Sequence, residues 1–539
     1  MKSLTDKVDE LFAVWDTLDS PGCALGIIKN GKLLYKRGYG MANLEHNIPI
    51  SATTVFRIGS TSKQFTATCI ALLAKQGKVS LDEDVRKYLS EMPEYESPIT
   101  VQHLIHHSSG IRDYVELIEL AGMREEDDFY TNDELVDMLV RQKELNFKPG
   151  DEFLYSNSGY FLLSVIVERI SGKSLREFAR KNIFKPLNMN NTHFHDDHTM
   201  IVKNRAAGYS PKKDSGYQIN MTCLDVVGDC GVFTTVEDLF LWDQNFYHNK
   251  LGGKDLVNQL LTLGTLNNGE KLDYAFGLEV SDYKGLKMIS HSGSYAGFRA
   301  QMSRFPEQKF SVVCLANLST INPTKLCKQV ADIYLADQFR EEKAEFIELS
   351  EQELKDRTGI FRDPVIGTIC ELSIRDGRLM VSLFDMNFQI APLSKTQFRS
   401  VDGTVDTDIR FEKQDKIEPL QIRVEIEGEK PVTFEAIQSV SPTSVQLAEY
   451  VGKYYSDELR VTYKLVLENG KLFFRYRNAP KKPLSPTLSD MFRVPGTTIH
   501  FIRDDQNRIS AFTLSTEGVR NIRFVRKRVE QAHAHAGRS

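Results

Sequence analysis

The strongest restriction on how this chain can fold is an internal repeat in its C-terminal part. Gly359 is followed 93 residues later by Gly452, and Gly377 is followed at the same distance by Gly470. The segment "RDGRLMVS" around Gly377 matches "ENGKLFFR" around Gly470, and both have the apolar runs and turn residues of paired strands. A strand-rich unit that occurs twice predicts two small antiparallel barrels, because closing a barrel removes exposed sheet edges.

The preceding part of the chain has a different pattern. "CALGIIKNGKLLYKRGYG" contains two apolar runs joined by Asn30-Gly31, a strong hairpin signal. A helical pattern begins at Ser60, and extended runs return in "LKMISHSGSY" and "FSVVCLANL" before a last helix from about Pro323. Strands at both ends with helices between them predict an α/β sandwich whose sheet joins distant segments. We therefore expect a domain over 1–340, a linker over 341–350, barrels over 351–440 and 445–530, and a disordered tail over 531–539.

Composition argues against several classes of function. A net charge of −5 and an isoelectric point near 6.2 give no basis for nucleic-acid binding. No apolar run is long enough to span a bilayer, and the opening "MKSLTDKVDELFAVW" alternates charged with apolar residues, unlike a signal peptide. We expect no membrane partner and a cytoplasmic location, or a periplasmic or secreted one if a leader was trimmed.

Neither the cysteines nor the histidines suggest a metal centre. The seven cysteines are scattered and form no C-x-x-C pair, so neither a disulfide framework nor a zinc site is expected. The string "HFHDDH", with His193, His195 and His198, lacks a set of carboxylates and histidines at regular helical spacing. We interpret it as a polar surface loop.

The string "RIGSTSKQF" pairs Ser60 with Lys63 where an extended run changes to a helix. A residue three places on lies one turn away on the same helix face, so a desolvated Lys63 could serve as a base for the Ser60 hydroxyl. On spacing alone, an N-cap serine beside a solvated lysine is the more common arrangement. Two other Ser-x-x-Lys strings, beginning at Ser210 and Ser281, show that spacing does not decide.

Two further segments favour the nucleophile. "FLYSNSGYFLL" contains Tyr155-Ser156-Asn157, and "ISHSGSYAGF" contains His291-Ser292-Gly293 on an expected strand. Together with Ser60-x-x-Lys63 they resemble the three ordered motifs of the serine β-lactamase and penicillin-binding-protein superfamily. The strings "HHSSGIRDY" and "GDCGVFTTVEDLFLW" are also similar to landmarks of that family, over about residues 5 to 340. The resemblance implies a serine β-lactamase-like transpeptidase α/β (α+β) fold, followed by two small antiparallel lipocalin-like β-barrels.

The resemblance also implies roles for the motif residues. Ser60 would be acylated, with Lys63 and Tyr155 sharing proton transfer, and which of the two is the general base stays open. Asn157 would donate to the acyl carbonyl of the substrate and to Lys63. The backbone N–H groups of Ser60 and Ser294 would form the oxyanion hole.

The strand motif narrows the substrate class. Because Gly293 has no side chain, it would leave room for a substrate that lies along this strand. At His291 many family members carry Lys as a fixed cation for a substrate carboxylate, whereas a His would be only partly charged at pH 7. A His at this position is typical of the D-aminopeptidase-like and esterase branches, and an α/β domain followed by two barrels resembles the D-aminopeptidase branch. However, "YRNAPKKPL" over Tyr476–Leu484 is basic, with Arg477, Lys481 and Lys482, and basic residues repel a free amine.

We therefore expect a serine hydrolase that acts through an acyl-enzyme on small amides or esters, as a D-aminopeptidase-like peptidase. A carboxylesterase is the alternative, and weak β-lactam hydrolysis or binding is a side activity of the same geometry. A non-enzymatic binding protein is less favoured, because it would not need Ser60, Lys63, Tyr155 and Asn157 together. The expected partner is a small molecule or short peptide, with no cofactor or metal, and a homodimer is left open.

Overall fold

The computed structural model describes residues 2–123, 128–340, 345–383, 386–401, 407–412, 420–426, 431–477 and 481–527. The chain forms two compact units, one of Met1–Val115 with Arg124–Glu342 and one of Glu116–Met123 with Lys343–Ser539. Among the described residues, no helix has the length and apolar character that a membrane span requires. The expected tail over 531–539 and residues 341–344 of the expected linker lie outside the described residues.

The first unit is built on a six-stranded antiparallel sheet, in the spatial order Glu279–Tyr283 (β10), Leu286–Tyr295 (β11), Phe298–Phe305 (β12), Phe310–Ala316 (β13), Cys23–Lys29 (β1) and Lys32–Tyr39 (β2). Its N-terminal hairpin joins strands from much later in the chain, since Gly26 of β1 pairs with Val313 of β13. The expectation of a sheet from distant segments is confirmed. The strands of this unit are β1 Cys23–Lys29, β2 Lys32–Tyr39, β3 Met41–Asn43, β4 Ile48–Pro49, β5 Phe56–Arg57, β6 His193–Phe194, β7 Tyr209–Pro211, β8 Tyr217–Ile219, β9 Val232–Thr234, β10 Glu279–Tyr283, β11 Leu286–Tyr295, β12 Phe298–Phe305 and β13 Phe310–Ala316.

Helices cover both faces of this sheet. In the described part of the chain the α-helices are α1 Leu4–Phe12, α2 Lys63–Lys75, α3 Val101–Ile105, α4 Tyr114–Leu120, α5 Asn132–Val140, α6 Asn157–Ser171, α7 Leu175–Ala179, α8 Lys185–Leu187, α9 Val236–His248, α10 Gly253–Leu260, α11 Pro323–Leu335, α12 Glu351–Lys355 and α13 Ser444–Ala448. On one face, Phe12 of α1 and Val330 of α11 pack with Leu25 and Val312 of the sheet. On the other, Val236 of α9 lies over Gly26, so successive residues of β1 face opposite layers.

Helix α2 is buried on every side over its first eleven residues, from Lys63 to Leu73. A helix without a solvent face belongs to the interior of a domain, where neighbouring elements hold it. It packs against α6, which begins at Asn157. The starts of these two helices therefore bring two of the sequence motifs into one place.

The second unit contains two closed eight-stranded antiparallel barrels, and the predicted fold class is confirmed. The first comprises β14 Gly359–Arg362, β15 Ile369–Arg375, β16 Arg378–Leu383, β17 Met386–Pro392, β18 Gln397–Ser400, β19 Thr407–Phe411, β20 Gln421–Ile426 and β21 Val432–Ile437. The second comprises β22 Gly452–Ser456, β23 Val461–Glu468, β24 Lys471–Tyr476, β25 Lys482–Leu488, β26 Met491–Val494, β27 Thr497–Arg503, β28 Ile509–Ser515 and β29 Ile522–Arg526.

The repeat lies at equivalent places in the two barrels. Gly359 and Gly452 each begin the first strand of a barrel. Gly377 and Gly470 each lie in the turn between the second and third strands, and both have φ of 72°. A side chain is strained at this φ, which explains why glycine recurs there.

The interpretation of "HFHDDH" as a polar surface loop is wrong for its first part. His193 lies in β6, which pairs with β9, and His195 is buried. The ring centroid of His195 lies 4.3 Å from that of Phe233, and His193 stacks on the same ring. The short sheet with β9 draws these histidines into the interior, and this pairing is not visible in the local sequence.

Candidate active site

Ser60 lies in a single 3₁₀ turn, Gly59–Ser62, immediately before helix α2. The α-helix therefore begins three residues later than the sequence suggested. The Ser62 hydroxyl donates to the Gly59 carbonyl over 2.6 Å and accepts from the Val232 N–H over 3.0 Å, which fixes this turn. Ser60 is left half-buried at the outer side of the turn, a suitable position for a nucleophile.

Lys63 is fully buried beside it, with 0% of its surface exposed. Its Nζ lies 3.2 Å from Ser60 Oγ, 2.8 Å from Asn157 Oδ1 and 3.0 Å from the Asp229 carbonyl oxygen. Burial lowers the pKa of Lys63, and the Asp229 carboxylate opposes this shift. The structure thus places a desolvated amine, easier to deprotonate than a solvated lysine, against the Ser60 hydroxyl.

The other two Ser-x-x-Lys strings have no such arrangement. Lys284 donates to Asp332 over 2.9 Å, on the side of α11. Ser210 lies in β7 and accepts from the Gln218 side-chain amide over 3.2 Å, and Lys213 is exposed. Of the three strings, the one at Ser60 has its lysine desolvated against its own serine.

Tyr155 is half-buried, with the Lys63 Nζ 4.6 Å from the centroid of its ring. Burial raises the pKa of Tyr155 well above its usual range, although hydrogen bonding to Ser60 opposes the rise. Its hydroxyl is therefore a protonated phenol at neutral pH, rather than a phenolate. Tyr155 is therefore a protonated phenol beside Ser60, while Lys63 is the group whose pKa is lowered.

Asn157 begins helix α6 and contacts Lys63 in the opposite sense to the one expected. Its side-chain oxygen accepts from the Lys63 amine, so the expectation that Asn157 donates to Lys63 is wrong. An amine with N–H groups needs an acceptor, and the amide oxygen provides it. The backbone N–H of Asn157 donates to Asp113 over 2.6 Å, which anchors the start of the helix.

Strand β11 closes the other side of the nucleophile turn. A Cβ on Gly293 would lie 1.9 Å from the Ile58 carbonyl oxygen, and a Cβ on Gly59 would lie 2.6 Å from the Ser294 nitrogen. Both positions therefore require glycine for the approach of strand and turn. The room for a substrate expected at Gly293 stays a prediction, and this backbone contact is a separate reason for glycine at that position. The same contact brings the Ser294 N–H next to the turn that holds Ser60.

His291 is buried in β11, and its environment differs from the expected one. Its Nδ1 lies 2.6 Å from the Ser292 carbonyl oxygen, so this nitrogen carries the proton. Its Nε2 therefore accepts from the Tyr274 hydroxyl over 2.9 Å. Burial lowers the pKa of His291 to about 3, so the ring is neutral at pH 7 and not partly charged. Its ring centroid lies 6.3 Å from that of Tyr155.

Several buried polar residues beside the motifs were missed. Asp229 accepts from the Tyr114 hydroxyl over 3.0 Å, and its main-chain carbonyl holds Lys63. Burial raises the pKa of Asp113 to about 6 and that of Asp229 in the same direction. Both carboxyls and Tyr114 fall within the strings "HHSSGIRDY" and "GDCGVF", which were recognised as landmarks without roles. Tyr274 lies in no motif, so no local signal identified it.

Two further expectations concern regions away from this cluster. Among the described residues, no group of three or more His, Cys, Asp and Glu side chains has the geometry of a metal site. In the basic stretch Tyr476–Leu484, residues 478–480 lie outside the described part, and Lys481 forms an ion pair with Glu468 inside the second unit. The effect of this stretch on an amine substrate stays a prediction.

Comparison with known proteins shows which family and which relatives the chain is similar to. The family model described as "Beta-lactamase" matches residues 8–329. A penicillin-binding protein of Bacillus subtilis (strain 168) is 30% identical over 306 residues, which cover 54% of this chain and 66% of that protein. D-aminopeptidase of Gluconobacter oxydans (strain 621H) is 28% identical over 299 residues, covering 55% of this chain and 56% of that one. The matched region thus spans between about half and two thirds of these relatives.

A solved structure extends the likeness beyond the first unit. The octameric penicillin-binding protein homologue from Pyrococcus abyssi aligns with a TM-score of 0.57 and 25% identity. The alignment covers 80% of this chain and 99% of that one. The fold of that homologue is therefore shared over most of the chain.

Proposed function

The chain belongs to the β-lactamase family, and we propose that it hydrolyses small amides and esters as a D-aminopeptidase-like peptidase, through an acyl-enzyme on Ser60. The observation that carries this proposal is the fully buried Lys63 amine, 3.2 Å from Ser60 Oγ. A desolvated amine against a half-buried serine hydroxyl is the arrangement that activates a serine nucleophile. The relation to D-aminopeptidases supports the substrate class.

In the acylation step, neutral Lys63 acts as general base. In the structure Lys63 Nζ donates to Ser60 Oγ, Asn157 Oδ1 and the Asp229 carbonyl oxygen. Once Lys63 is neutral, its two remaining N–H groups can serve Asn157 and Asp229, which leaves its lone pair for the Ser60 hydroxyl. The Ser60 oxygen attacks the carbonyl carbon while its proton moves to Lys63. The Tyr155 phenol gives its proton to the leaving group and recovers one from the Lys63 ammonium, so the protons balance.

The oxyanion that forms in this step is stabilised by the Ser60 and Ser294 N–H groups. The close packing at Gly59 and Gly293 holds the strand against the nucleophile turn. Removing one such donor typically costs about 10²- to 10³-fold in rate. Hydrolysis of the acyl-enzyme then repeats the proton transfers with water in place of the Ser60 hydroxyl.

The state of His291 bears on which substrates fit. Its ring is neutral and both of its nitrogens are engaged, with Ser292 and Tyr274. It therefore supplies no cation for a substrate carboxylate at this place. This favours amides and esters without a carboxylate there over β-lactams, which carry one, and it leaves a carboxylesterase as the second candidate.

A rate assay on three substrates tests the proposal. Native protein, Ser60→Ala and Ser281→Ala are compared on D-Ala-p-nitroanilide, its L-isomer and p-nitrophenyl acetate. We expect the native protein and the Ser281→Ala control to cleave the D-anilide, and Ser60→Ala to lose this activity. Ser60-dependent cleavage of the ester alone would move the assignment to a carboxylesterase. Absence of labelling of Ser60 in native protein by a fluorophosphonate probe would contradict both assignments.

A further inference from the structure

His107 binds the main chain on both sides of Tyr155. The Leu154 N–H donates to the His107 carbonyl oxygen over 2.9 Å, and the Ser156 N–H donates to His107 Nδ1 over 3.0 Å. The two residues that flank Tyr155 are therefore held by one residue, through its main chain and its side chain.

The side chain of His107 also packs against the ring of Tyr155. The two ring centroids lie 4.3 Å apart with the planes tilted by 32°, while Tyr274 and Tyr160 enclose the imidazole at 4.6 and 5.1 Å. The ring is therefore fixed by aromatic neighbours as well as by Ser156. Tyr155 cannot shift towards this side without displacing a packed ring.

The backbone of His107 has φ of 55°, which is unfavourable for a residue with a Cβ. Such conformations persist where the surroundings over-determine them, and they cluster at functional sites. Here the conformation directs the carbonyl and the imidazole of one residue to the same neighbouring segment.

The protonation of the ring is set by this arrangement. Because Nδ1 accepts from Ser156, the proton of the neutral ring lies on Nε2, which has no hydrogen-bond partner among the described residues. A buried N–H without a hydrogen-bond partner costs stability, and an apolar aromatic side chain at position 107 would not carry this cost. The presence of histidine therefore indicates that the hydrogen-bond acceptor Nδ1 is needed at this position.

We propose that His107 is a positioning residue for Tyr155, which holds the phenol in register with Ser60 and Lys63 and does not itself exchange a proton with the substrate. The inference rests on the proposed function, because it gives Tyr155 a catalytic task. A displacement of about 1 Å at a reacting group can cost about 10²-fold in rate. His107 should therefore affect kcat and leave KM almost unchanged.

A double-mutant cycle between His107 and Tyr155 tests this. His107→Phe keeps an aromatic ring but removes the Nδ1 acceptor, whereas His107→Asn keeps an acceptor and tolerates the positive φ. Each is combined with native Tyr155 and with Tyr155→Phe. The measurements are kcat and KM on the best substrate of the Ser60 assay, and the rate of Ser60 labelling by a fluorophosphonate.

We expect His107→Phe to lower kcat about 10²-fold, with a KM within threefold of the native value. The kcat of His107→Asn should be at least tenfold higher than that of His107→Phe. In the Tyr155→Phe background, His107→Phe should change the labelling rate less than threefold, because the group that it positions is absent. Equal losses in both backgrounds, or no loss with native Tyr155, would overturn the inference.

His106→Phe is the matched control. His106 is also buried, but its Nε2 lies near the Thr262 carbonyl at 3.3 Å and its ring packs on Phe276. Its substitution should have the same effect in both Tyr155 backgrounds. If His107→Phe fails to fold, as judged by circular dichroism, His107→Leu, which also lacks an acceptor, replaces it in the cycle with the same expected results. Failure of the proposed function would show separately, as native protein that is not labelled at Ser60.

Discussion

The active-site region and the interior of the first barrel bury opposite kinds of side chain. Around Ser60 the structure buries an amine, two carboxyls and two histidines, Lys63, Asp113, Asp229, His107 and His291. The first barrel buries an apolar cluster of aliphatic and aromatic side chains, among them Leu372, Val381, Phe398, Ile409 and Phe434. Burying apolar surface stabilises a fold, whereas burying polar groups costs stability unless they are paired. We therefore expect substitutions in the barrel interior to change stability, and substitutions in the site to change the reaction rate.

The largest effect is expected at Lys63. Lys63→Met keeps the size of the side chain but removes the base, and we expect the acylation rate to fall by about 10³-fold or more. The rate of Ser60 labelling by a fluorophosphonate measures this. Lys284→Met, in another Ser-x-x-Lys string, is the control and should label like native protein. If the labelling rate of Lys63→Met were within tenfold of the native rate, Lys63 would not be the base for Ser60, and burial of polar groups would not distinguish the site by its chemistry.

A buried ion pair between Arg304 and Asp243 in the first unit is expected to affect stability and not catalysis. Arg304 Nε lies 2.9 Å from Asp243 Oδ1, both side chains are buried, and the Ser311 hydroxyl donates to the same oxygen. Asp243→Ala leaves Arg304 unpaired, so we expect a loss of about 3–5 kcal/mol in the free energy of unfolding. Urea unfolding measures it, and the folded fraction should keep its kcat. A loss below about 1 kcal/mol would show that the pair is not structural.

The barrel interior should respond in stability alone. Leu372 is 2% exposed in the core of the first barrel. Leu372→Ala should destabilise this barrel by about 2–5 kcal/mol, because the cavity left behind adds to the lost burial. Hydrogen exchange resolved by segment measures the loss over 359–437, and Ser60 labelling should be unchanged. A fall in labelling with retained exchange protection would contradict the separation of the two regions.

The buried histidines predict acid sensitivity of the first unit. Burial lowers the pKa of His106 to about 4, below its usual value of 6.5. A depressed pKa of a histidine means that its contribution to stability is present above pH 6.5 and is lost as the pH falls towards 4. The loss is about 1.4 kcal/mol per pH unit for one such group.

His106→Phe removes this proton uptake, so its unfolding free energy should fall less between pH 6.5 and 4 than that of native protein. Asp113, with a pKa raised to about 6, has the opposite sign, since its contribution is lost as the pH rises from about 4 to 6. The difference between native and variant curves therefore isolates His106. If the two curves of unfolding free energy against pH were parallel, protonation of His106 would not destabilise the folded protein.

The smallest effect is expected at the surface of the second unit. Glu351 and Lys355 form an i,i+4 ion pair in α12, with 73% and 56% of their side chains exposed. Glu351→Gln should leave the midpoint of thermal unfolding unchanged, because solvent screens exposed pairs. Thermal unfolding in low and high salt checks this. A midpoint below that of native protein in low salt, but equal to it in high salt, would show that exposed charge also stabilises this unit.

Local sequence was sufficient wherever a local conformation decides the structure. Asn30 and Gly31 have φ of 51° and 74°, and this turn forms the expected hairpin between β1 and β2. The turn glycines Gly377 and Gly470 do the same in the barrels. Such positions are readable because only a few residue types accept a left-handed backbone.

Long-range packing could not be predicted from the local sequence in the same way. His291 became neutral because α/β packing buries it against Tyr274, and neither its charge nor that partner follows from "HSG". Gly293 is needed for the carbonyl of Ile58, a contact between segments more than 200 residues apart. The inward position of His195 likewise depends on β6 joining β9.

By itself, the sequence determined the two barrels through their repeated turns, the α/β sheet through its strand pattern, and the candidate residues Ser60, Lys63, Tyr155 and Asn157 through ordered motifs. Only the tertiary structure decided which way the Asn157 hydrogen bond runs, that His291 is uncharged, and that His107 lies against Tyr155. The physical reason is that backbone propensity and periodicity are properties of neighbouring residues, whereas desolvation and hydrogen-bond partners depend on segments that meet only when the chain is folded.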